Sequence, residues 1–182
     1  ELIPASFGFG TRLVEAYINS GQFFDARALL ERIRDRHPNN LTLISLEARL
    51  LGCEGNIEGG VDLLKSSLQT QRNNPTAYLV LASFYTQHKK LKEALGLLQS
   101  AKSQFSENTE IHFQLGAALE QSNRFKDAEQ VFQRVLADHP EHAATLNYLG
   151  YMLAERGIRL QESVNLLERA IKIDPYTGAY LD

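Results

Sequence analysis

The chain has 182 residues, of which 23% are charged, with a formal net charge of −3 at pH 7 and a pI near 6.0. This balance provides no basic field for nucleic acid or an anionic membrane. No apolar run approaches the roughly 18–20 residues of a membrane span, and the single Cys53 cannot form an internal disulfide. We therefore expect no nucleic-acid partner and no membrane insertion, while the cellular location stays open.

Five segments of 34 residues superimpose along the chain, starting at Phe7, Leu41, Pro75, Thr109 and Ala143. When each segment is numbered from 1 to 34, position 8 always holds a small or short side chain: Val14, Ala48, Ala82, Gly116 and Gly150. Position 20 follows the same rule, with one extra residue in the last turn: Ala26, Gly60, Ala94, Ala128 and Ser163. The sequence therefore predicts an array of repeats.

Each segment reads as a pair of helices. In the first, apolar residues recur at spacings of three and four on both sides of a turn, which indicates two amphipathic helices: Leu13, Ala16 and Tyr17, then Phe23, Ala26, Leu30 and Ile33. Small side chains at positions 8 and 20 allow the two helix axes to approach closely. Every segment is thus predicted to be a helical hairpin.

The turn inside each hairpin carries its own signal at position 15, which holds Gly21, Gly55, Lys89, Asn123 and Gly157. A left-handed residue that ends a helix is best tolerated as Gly or Asn, so four turns fit and Lys89 is the predicted exception. Proline ends several second helices, at Pro38, Pro140 and Pro175. The asparagines before the next segment are predicted N-caps: Asn40, Asn74 and Asn108.

Both termini of the chain fit a longer array. The predicted organisation is the end of a preceding repeat at 1–6, five repeats at 7–40, 41–74, 75–108, 109–142 and 143–177, and the start of a sixth at 178–182, all in one domain. An incomplete sixth repeat would leave apolar residues of the fifth bare: Val164, Leu167, Ile171 and Tyr180. We therefore expect pairing of two copies through this carboxyl-terminal end.

The period of 34 and its apolar positions resemble the tetratricopeptide repeat. Bulky residues fill position 17 (Phe23, Ile57, Leu91, Phe125, Leu160) and position 24 (Leu30, Leu64, Leu98, Phe132, Leu167). The stretches 147–151 and 178–182 are similar to bacterial members of the family, some of which are attached to the envelope. Cytoplasm and bacterial envelope or periplasm therefore both stay open as locations. The resemblance implies an all-α fold, a right-handed α-solenoid of five tandem helix-turn-helix hairpins.

The resemblance also implies a concave groove lined by the first helices, with positions 2, 5, 9, 12 and 13 facing a ligand. The candidate groove residues are Thr11, Glu15, Arg49, Leu79, Ser83, Phe113, Ala117, Glu120, Asn147 and Tyr151. Chaperone-binding members clamp a carboxylate with Lys and Asn, whereas position 9 here never holds Asn and all lysines fall in second helices or turns. Glu15, Glu120 and Glu155 would repel a carboxylate. We expect an apolar or amphipathic segment instead, buried against Leu79, Phe113 and Tyr151, unless neighbouring helices fill some of these sites.

Chemistry-bearing residues are sparse. His139 and His142 flank a loop without the further ligands that structural zinc takes, and Cys53 has no histidine nearby in sequence to act as a base. We expect His112 in the core, and the basic run around Arg34 on a solvated helix face. The sequence therefore predicts no catalytic residue, metal or cofactor, and a non-catalytic scaffold that binds a protein segment. The alternatives are a homo-oligomerisation module and an accessory part of a larger enzyme.

Overall fold

The computed structural model describes residues 7–175. These residues form ten α-helices and no β-strand, which confirms the predicted all-α fold. The sequence expectations for residues 1–6 and 178–182, and for Tyr180, lie outside the described residues. None of the helices in residues 7–175 combines the length and the apolar character that a membrane crossing requires.

The chain divides into two compact units, one ending at Lys89 and the other beginning at Lys90. The first contains α1 (Phe7–Asn19), α2 (Phe23–Arg34), α3 (Leu41–Cys53), α4 (Ile57–Thr70) and α5 (Pro75–Gln87). The second contains α6 (Leu91–Gln104), α7 (Thr109–Gln121), α8 (Phe125–Asp138), α9 (Ala143–Glu155) and α10 (Leu160–Ile173). The organisation into a single domain stays a prediction.

Each unit buries the apolar faces of its helices against the next helices along the chain. In the first unit, α1 packs on α2 and α3, and α4 packs on α3 and α5. In the second unit, α7 packs between α6 and α8, and α9 contacts α7, α8 and α10. Fully buried side chains include Val14 and Leu43 in the first unit and Phe132 and Leu146 in the second. Each large apolar side chain buried in this way contributes about 1.5–3 kcal/mol.

Side-chain caps fix where several helices begin. The predicted caps are confirmed: the Asn40 side chain accepts from the amide of Thr42 at 3.0 Å, and Asn74 and Asn108 do the same for α5 and α7. Asn56 caps α4, and His142 caps α9 by accepting from the Thr145 amide at 3.3 Å. A cap of this kind stabilises a helix by roughly 0.5–2 kcal/mol.

The residue at position 15, in the turn after the first helix of each repeat, is left-handed in all five repeats. The φ angles are positive at Gly21, Gly55, Lys89, Asn123 and Gly157. The prediction that Lys89 departs from this rule is wrong, because Lys89 adopts φ 58° like the others. Lys89 therefore carries the strain of a Cβ in a left-handed conformation.

Close helix approach at positions 8 and 20 explains the small residues there. A Cβ added at Gly116 on α7 would lie 2.4 Å from the Phe132 ring on α8, and one at Gly60 would lie 2.5 Å from the Phe84 ring. The Ser163 hydroxyl donates to the Gly150 carbonyl at 2.7 Å, which ties α10 to α9. A side chain at Gly60 or Gly116 would therefore overlap a phenylalanine ring of a neighbouring helix.

Candidate partner-binding surface

The candidate residues of the first unit lie on α1, α3 and α5. Thr11 is buried, and its hydroxyl donates to the Gly8 carbonyl at 3.1 Å. Glu15 is exposed, whereas Arg49 is half-buried and its guanidinium donates to the side chain of Asn19. Leu79 and Ser83 are half-buried on α5. This part of the surface is polar on α1 and α3, and the Arg49 guanidinium already has a neighbour within the unit.

The candidate residues of the second unit lie on α7 and α9. Phe113, Ala117 and Asn147 are buried, each with 7% or less of its surface exposed. Glu120 and Tyr151 are half-buried. Phe113 and Ala117 therefore support the surface from below, while the other three are positioned at a depression within it.

A cavity of about 220 Å³ lies between α7 and α9. It brings together three of the predicted residues, Glu120, Asn147 and Tyr151, with three others: Tyr148, Met152 and Glu155. A volume of this size holds one side chain of a partner rather than a drug-sized molecule, since small-molecule sites usually exceed about 300 Å³. Three of the ten predicted groove residues therefore meet at one cavity.

An aromatic cluster supports one wall of this cavity. The Tyr148 ring meets the Phe113 ring edge-on, with centroids 5.2 Å apart, and lies 6.1 Å from the Phe132 ring. Phe113 also packs on the imidazole of His142 at 5.5 Å. Neighbouring helices thus fill the space around Phe113, one of the two outcomes that the sequence left open. The packing holds Tyr148 in a fixed orientation at the rim, where 37% of its surface remains exposed.

Two carboxylates, Glu120 and Glu155, also line the cavity. Burial raises the pKa of the Glu120 carboxyl above its ordinary value, and the charge of Glu155 raises this pKa further. Burial likewise raises the pKa of the Tyr148 phenol, with a second contribution from Glu120. Neither carboxylate forms a salt bridge with any residue in the part of the chain that the structure describes.

The arginines of the second unit have partners elsewhere. Arg159 pairs with Glu129. Arg124 and Arg134 each pair with an aspartate of α8, Asp127 and Asp138 respectively. Arg156, which follows Glu155 in the chain, lies over the Phe125 ring at 4.5 Å from its centroid. None of these arginines pairs with Glu120 or Glu155.

Two models of the tetratricopeptide repeat match the chain, one at residues 11–40 and the other at residues 85–149. Together they span more than half of it. The chain is a tetratricopeptide-repeat protein. Such proteins are in general non-enzymatic scaffolds that bind peptides or other proteins.

A bacterial relative supports this assignment over part of the chain. The TPR repeat-containing protein PA4667 of Pseudomonas aeruginosa is 30% identical over 105 residues. The matched stretch covers 58% of this chain and 18% of the relative, so the present tetratricopeptide chain spans only a small part of that protein's length.

Solved tetratricopeptide structures share the fold. TTC0263, a thermophilic TPR protein of Thermus thermophilus, superimposes with a TM-score of 0.72 at 19% identity over 97% of this chain and 95% of its own. YrrB, described as a TPR protein with an unusual peptide-binding site, gives a TM-score of 0.59 at 20% identity, with 94% and 88% of the two chains covered. At these low identities, the two superpositions show that the chains share a fold and nothing more.

The remaining chemistry-bearing residues lie apart from the cavity. Within residues 7–175 no three His, Cys, Asp or Glu side chains come together as a metal site, and His142 acts as a helix cap. Cys53 is an exposed free thiol. His112 is half-buried, its Nε2 has no partner in the described residues, and burial lowers the pKa of its imidazole.

The structure adds cavity residues that the candidate groove set lacks. Glu155 occupies position 13, which the family pattern assigns to the groove, and the sequence identified it only as a source of repulsion. Tyr148 occupies position 6, outside the pattern, and Met152 occupies position 10. No periodic signal marks these two, because their contribution depends on how far α9 is rotated against α7.

Proposed function

We propose that this tetratricopeptide chain is a non-catalytic scaffold that binds a peptide or helix of a partner protein on the face formed by its first helices. The observation that carries the proposal is the cavity between α7 and α9, which unites Glu120, Asn147 and Tyr151 from two repeats. A partner side chain of ordinary size fits its volume of about 220 Å³. The peptide-binding description of YrrB supports a peptide as the class of ligand.

The proposed segment is apolar or amphipathic. Tyr151 and Tyr148 offer rigid aromatic surface, and aromatic anchors often dominate such interfaces. Leu79 on α5, a helix without any charged residue, offers further apolar surface in the first unit. A carboxylate is disfavoured in the second unit because Glu120 and Glu155 line the cavity.

Selection from a random 12-residue peptide library on the immobilised chain tests this proposal. We expect enriched peptides to lose about tenfold or more in affinity on Tyr151→Ala, as for an interface anchor. Phe24→Ala is the matched control, because the Phe24 ring is 84% exposed on the second helix α2. Peptides that ignore Tyr151→Ala but depend on Phe24 would contradict the proposed surface. Enrichment of acidic carboxyl-terminal peptides that depend on Arg49 would instead indicate an anion clamp.

Homo-oligomerisation is the second candidate function, favoured by the surface of α10. Leu160, Val164 and Ile171 lie on this helix at helical spacing and remain 56%, 46% and 38% exposed. Contiguous apolar surface of this kind promotes pairing. Light scattering across a concentration series should then show a rising mass that Val164→Lys abolishes. A constant monomer mass up to about millimolar concentration would exclude this function for the chain.

A further inference from the structure

The carboxylates at the cavity between α7 and α9 occupy positions that the fold itself makes unfavourable for anions. Glu120 is the next-to-last residue of α7, and Glu155 is the last residue of α9. The carboxyl ends of helices carry partial negative charge, so an anion there is destabilised by about 0.3–1 kcal/mol. Two such ends converge on one cavity, which concentrates negative potential in a small volume.

An unpartnered hydrogen-bond acceptor lies in the same cavity wall. Asn147 keeps only 7% of its surface exposed, and its Oδ1 has no hydrogen-bond partner in the described part of the chain. Leaving a buried acceptor unsatisfied costs about 1–3 kcal/mol. Because Asn147 lines the cavity, a donor bound there can supply the hydrogen bond that this oxygen lacks.

Aromatic rings complete the surroundings of this acceptor. Tyr148 and Tyr151 both line the cavity, and Tyr148 is held by its edge-on contact with Phe113. The face of a tyrosine ring attracts a cation by roughly 0.5–2 kcal/mol, depending on how far the cation is desolvated. Carboxylates, an amide oxygen and tyrosine rings line one cavity, and together they are complementary to a positively charged group with several N–H donors.

We propose that the cavity lined by Glu120, Asn147 and Tyr151 is a subsite for a lysine or arginine side chain of the bound protein segment. The ammonium or guanidinium group pairs with Glu120 and Glu155 and donates to Asn147 Oδ1, while its aliphatic stem lies against the tyrosine rings. This inference rests on the proposed function and specifies it: the partner segment is amphipathic, with a basic residue directed into the second unit.

A metal ion is a poorer match for the same groups. Calcium takes six to eight oxygen ligands, and magnesium requires an octahedral shell. Only two carboxylates line the cavity, and residues 7–175 contain no cluster of three or more metal-ligating acidic, His or Cys side chains.

Small cationic probes test the subsite without a peptide. The ¹⁵N-labelled chain is titrated with N-acetyl-lysinamide and N-acetyl-argininamide, and with N-acetyl-norleucinamide as the neutral counterpart. We expect both cations, but not the neutral probe, to shift the amide resonances of Asn147 and Tyr151. These shifts should disappear in the Glu120→Gln/Glu155→Gln double variant. They should persist in Glu110→Gln, which removes a charge from the same helix outside the cavity.

Library peptides then connect the subsite to the proposed function. Peptides selected on the unaltered chain should contain a lysine or arginine whose replacement by norleucine weakens binding about tenfold, the effect of losing a charge-assisted hydrogen bond. The same replacement should have little effect on binding to the Glu120→Gln/Glu155→Gln variant. Circular dichroism of the variant verifies that its helices are intact.

The outcomes separate the two proposals. Peptides that bind without a basic residue, together with no probe shifts, overturn the subsite and leave the scaffold function standing. Probe shifts without any enriched peptide support the cation site and overturn peptide binding. Calcium chloride that produces the same shifts at lower concentrations than the amino-acid probes would overturn the proposal in favour of a metal site.

Discussion

The helices α1 and α3 of the first unit and the helices α7 and α9 of the second unit use the same repeat positions for different chemistry. Between α1 and α3, position 9 is Arg49, and its guanidinium donates to Asn19 at position 13 of the preceding repeat. Between α7 and α9, position 9 is Tyr151, and its neighbours include the carboxylates Glu120 and Glu155. The repeat determines where side chains lie, and the individual residue determines what they can bind.

Charge compensation differs in the same way. In the first unit, Arg27 pairs with Glu54, and Arg34 pairs with Glu47 on the following hairpin. Exposed pairs of this kind contribute only about 0–1 kcal/mol, but they leave these charges with a partner inside the unit. In the second unit the cavity carboxylates lack such pairs in the described residues. A surface that is left uncompensated is the better candidate for recognition.

The packing that both units share should be sensitive to a single methyl group. We expect Gly60→Ala in the first unit and Gly116→Ala in the second each to lower the free energy of unfolding by about 1–3 kcal/mol, because the added Cβ overlaps a phenylalanine ring. Gly96→Ala on α6 is the control, since no atom lies within 4 Å of its added Cβ, and it should stabilise by about 0.5–1 kcal/mol. Urea denaturation measures all three. Equal midpoints for Gly116→Ala and Gly96→Ala would refute the shared packing rule.

The chemical difference between the units should be transferable by one substitution. Tyr151→Arg places at position 9 of the fifth repeat the residue that Arg49 provides in the second. The new guanidinium is expected to pair with Glu120 and occupy the cavity, so binding of a lysine-containing library peptide should weaken about tenfold. Tyr151→Phe is the control and should retain binding. Isothermal titration of both variants decides the matter, and unchanged affinity in Tyr151→Arg would show that the cavity is not the cation site.

The sequence was sufficient for the helices because their determinants are local. Small residues at positions 8 and 20, and asparagines such as Asn40, specify crossings and helix starts within one hairpin. Lys89 shows the limit of this reasoning, because residue preference disfavours a left-handed lysine and the structure nevertheless has Lys89 in that conformation. Residue preferences alone therefore do not predict which positions of a fold adopt a strained backbone conformation.

The candidate site was only partly predictable for a different reason. The family pattern identified Glu120, Asn147 and Tyr151, since it states which positions face the groove. It could not show that Tyr148 closes one wall or that the charge of Glu155 acts on Glu120. These features depend on the distance and rotation between α7 and α9, which no single helix encodes.

The backbone at Lys89 is strained, and Lys89→Gly should relieve that strain. The first two turns of the first unit already hold Gly21 and Gly55, so Lys89 is the remaining left-handed residue with a Cβ in that unit's described turns. We expect Lys89→Gly to stabilise the chain by about 1 kcal/mol, the scale of the left-handed penalty. Thermal unfolding measures the gain. Lys89→Ala, which keeps the Cβ, should show little change, and equal gains from both variants would assign the effect to the side chain rather than to the backbone.

The smallest expected effect concerns the uncompensated charge itself, and its dependence on pH has a definite sign. Because the pKa of Glu120 is raised in the folded chain, the folded state holds a proton that the unfolded state releases as the pH increases past about 4.5, the ordinary carboxyl value. Stability from this group is therefore lost as the pH rises through the window between the ordinary and the raised pKa. Glu155 and Tyr148 are the titratable groups that interact with it.

Glu120→Gln removes this loss. At neutral pH the variant should be more stable than the parent by about 0.2–0.5 kcal/mol, the scale of a like-charge pair at a surface. In acid, where Glu120 is protonated in both states, the difference should vanish. Glu110→Gln should bring no such gain, because Glu110 lies near the amino end of α7, where the helix dipole favours an anion. Urea midpoints of the three chains at several pH values provide the measurement.

If Glu120→Gln gains stability at neutral pH and also loses affinity for the basic peptide, that result would mean that Glu120 serves recognition at the expense of the fold. A loss of stability at neutral pH would instead show that Glu120 already has a compensating partner.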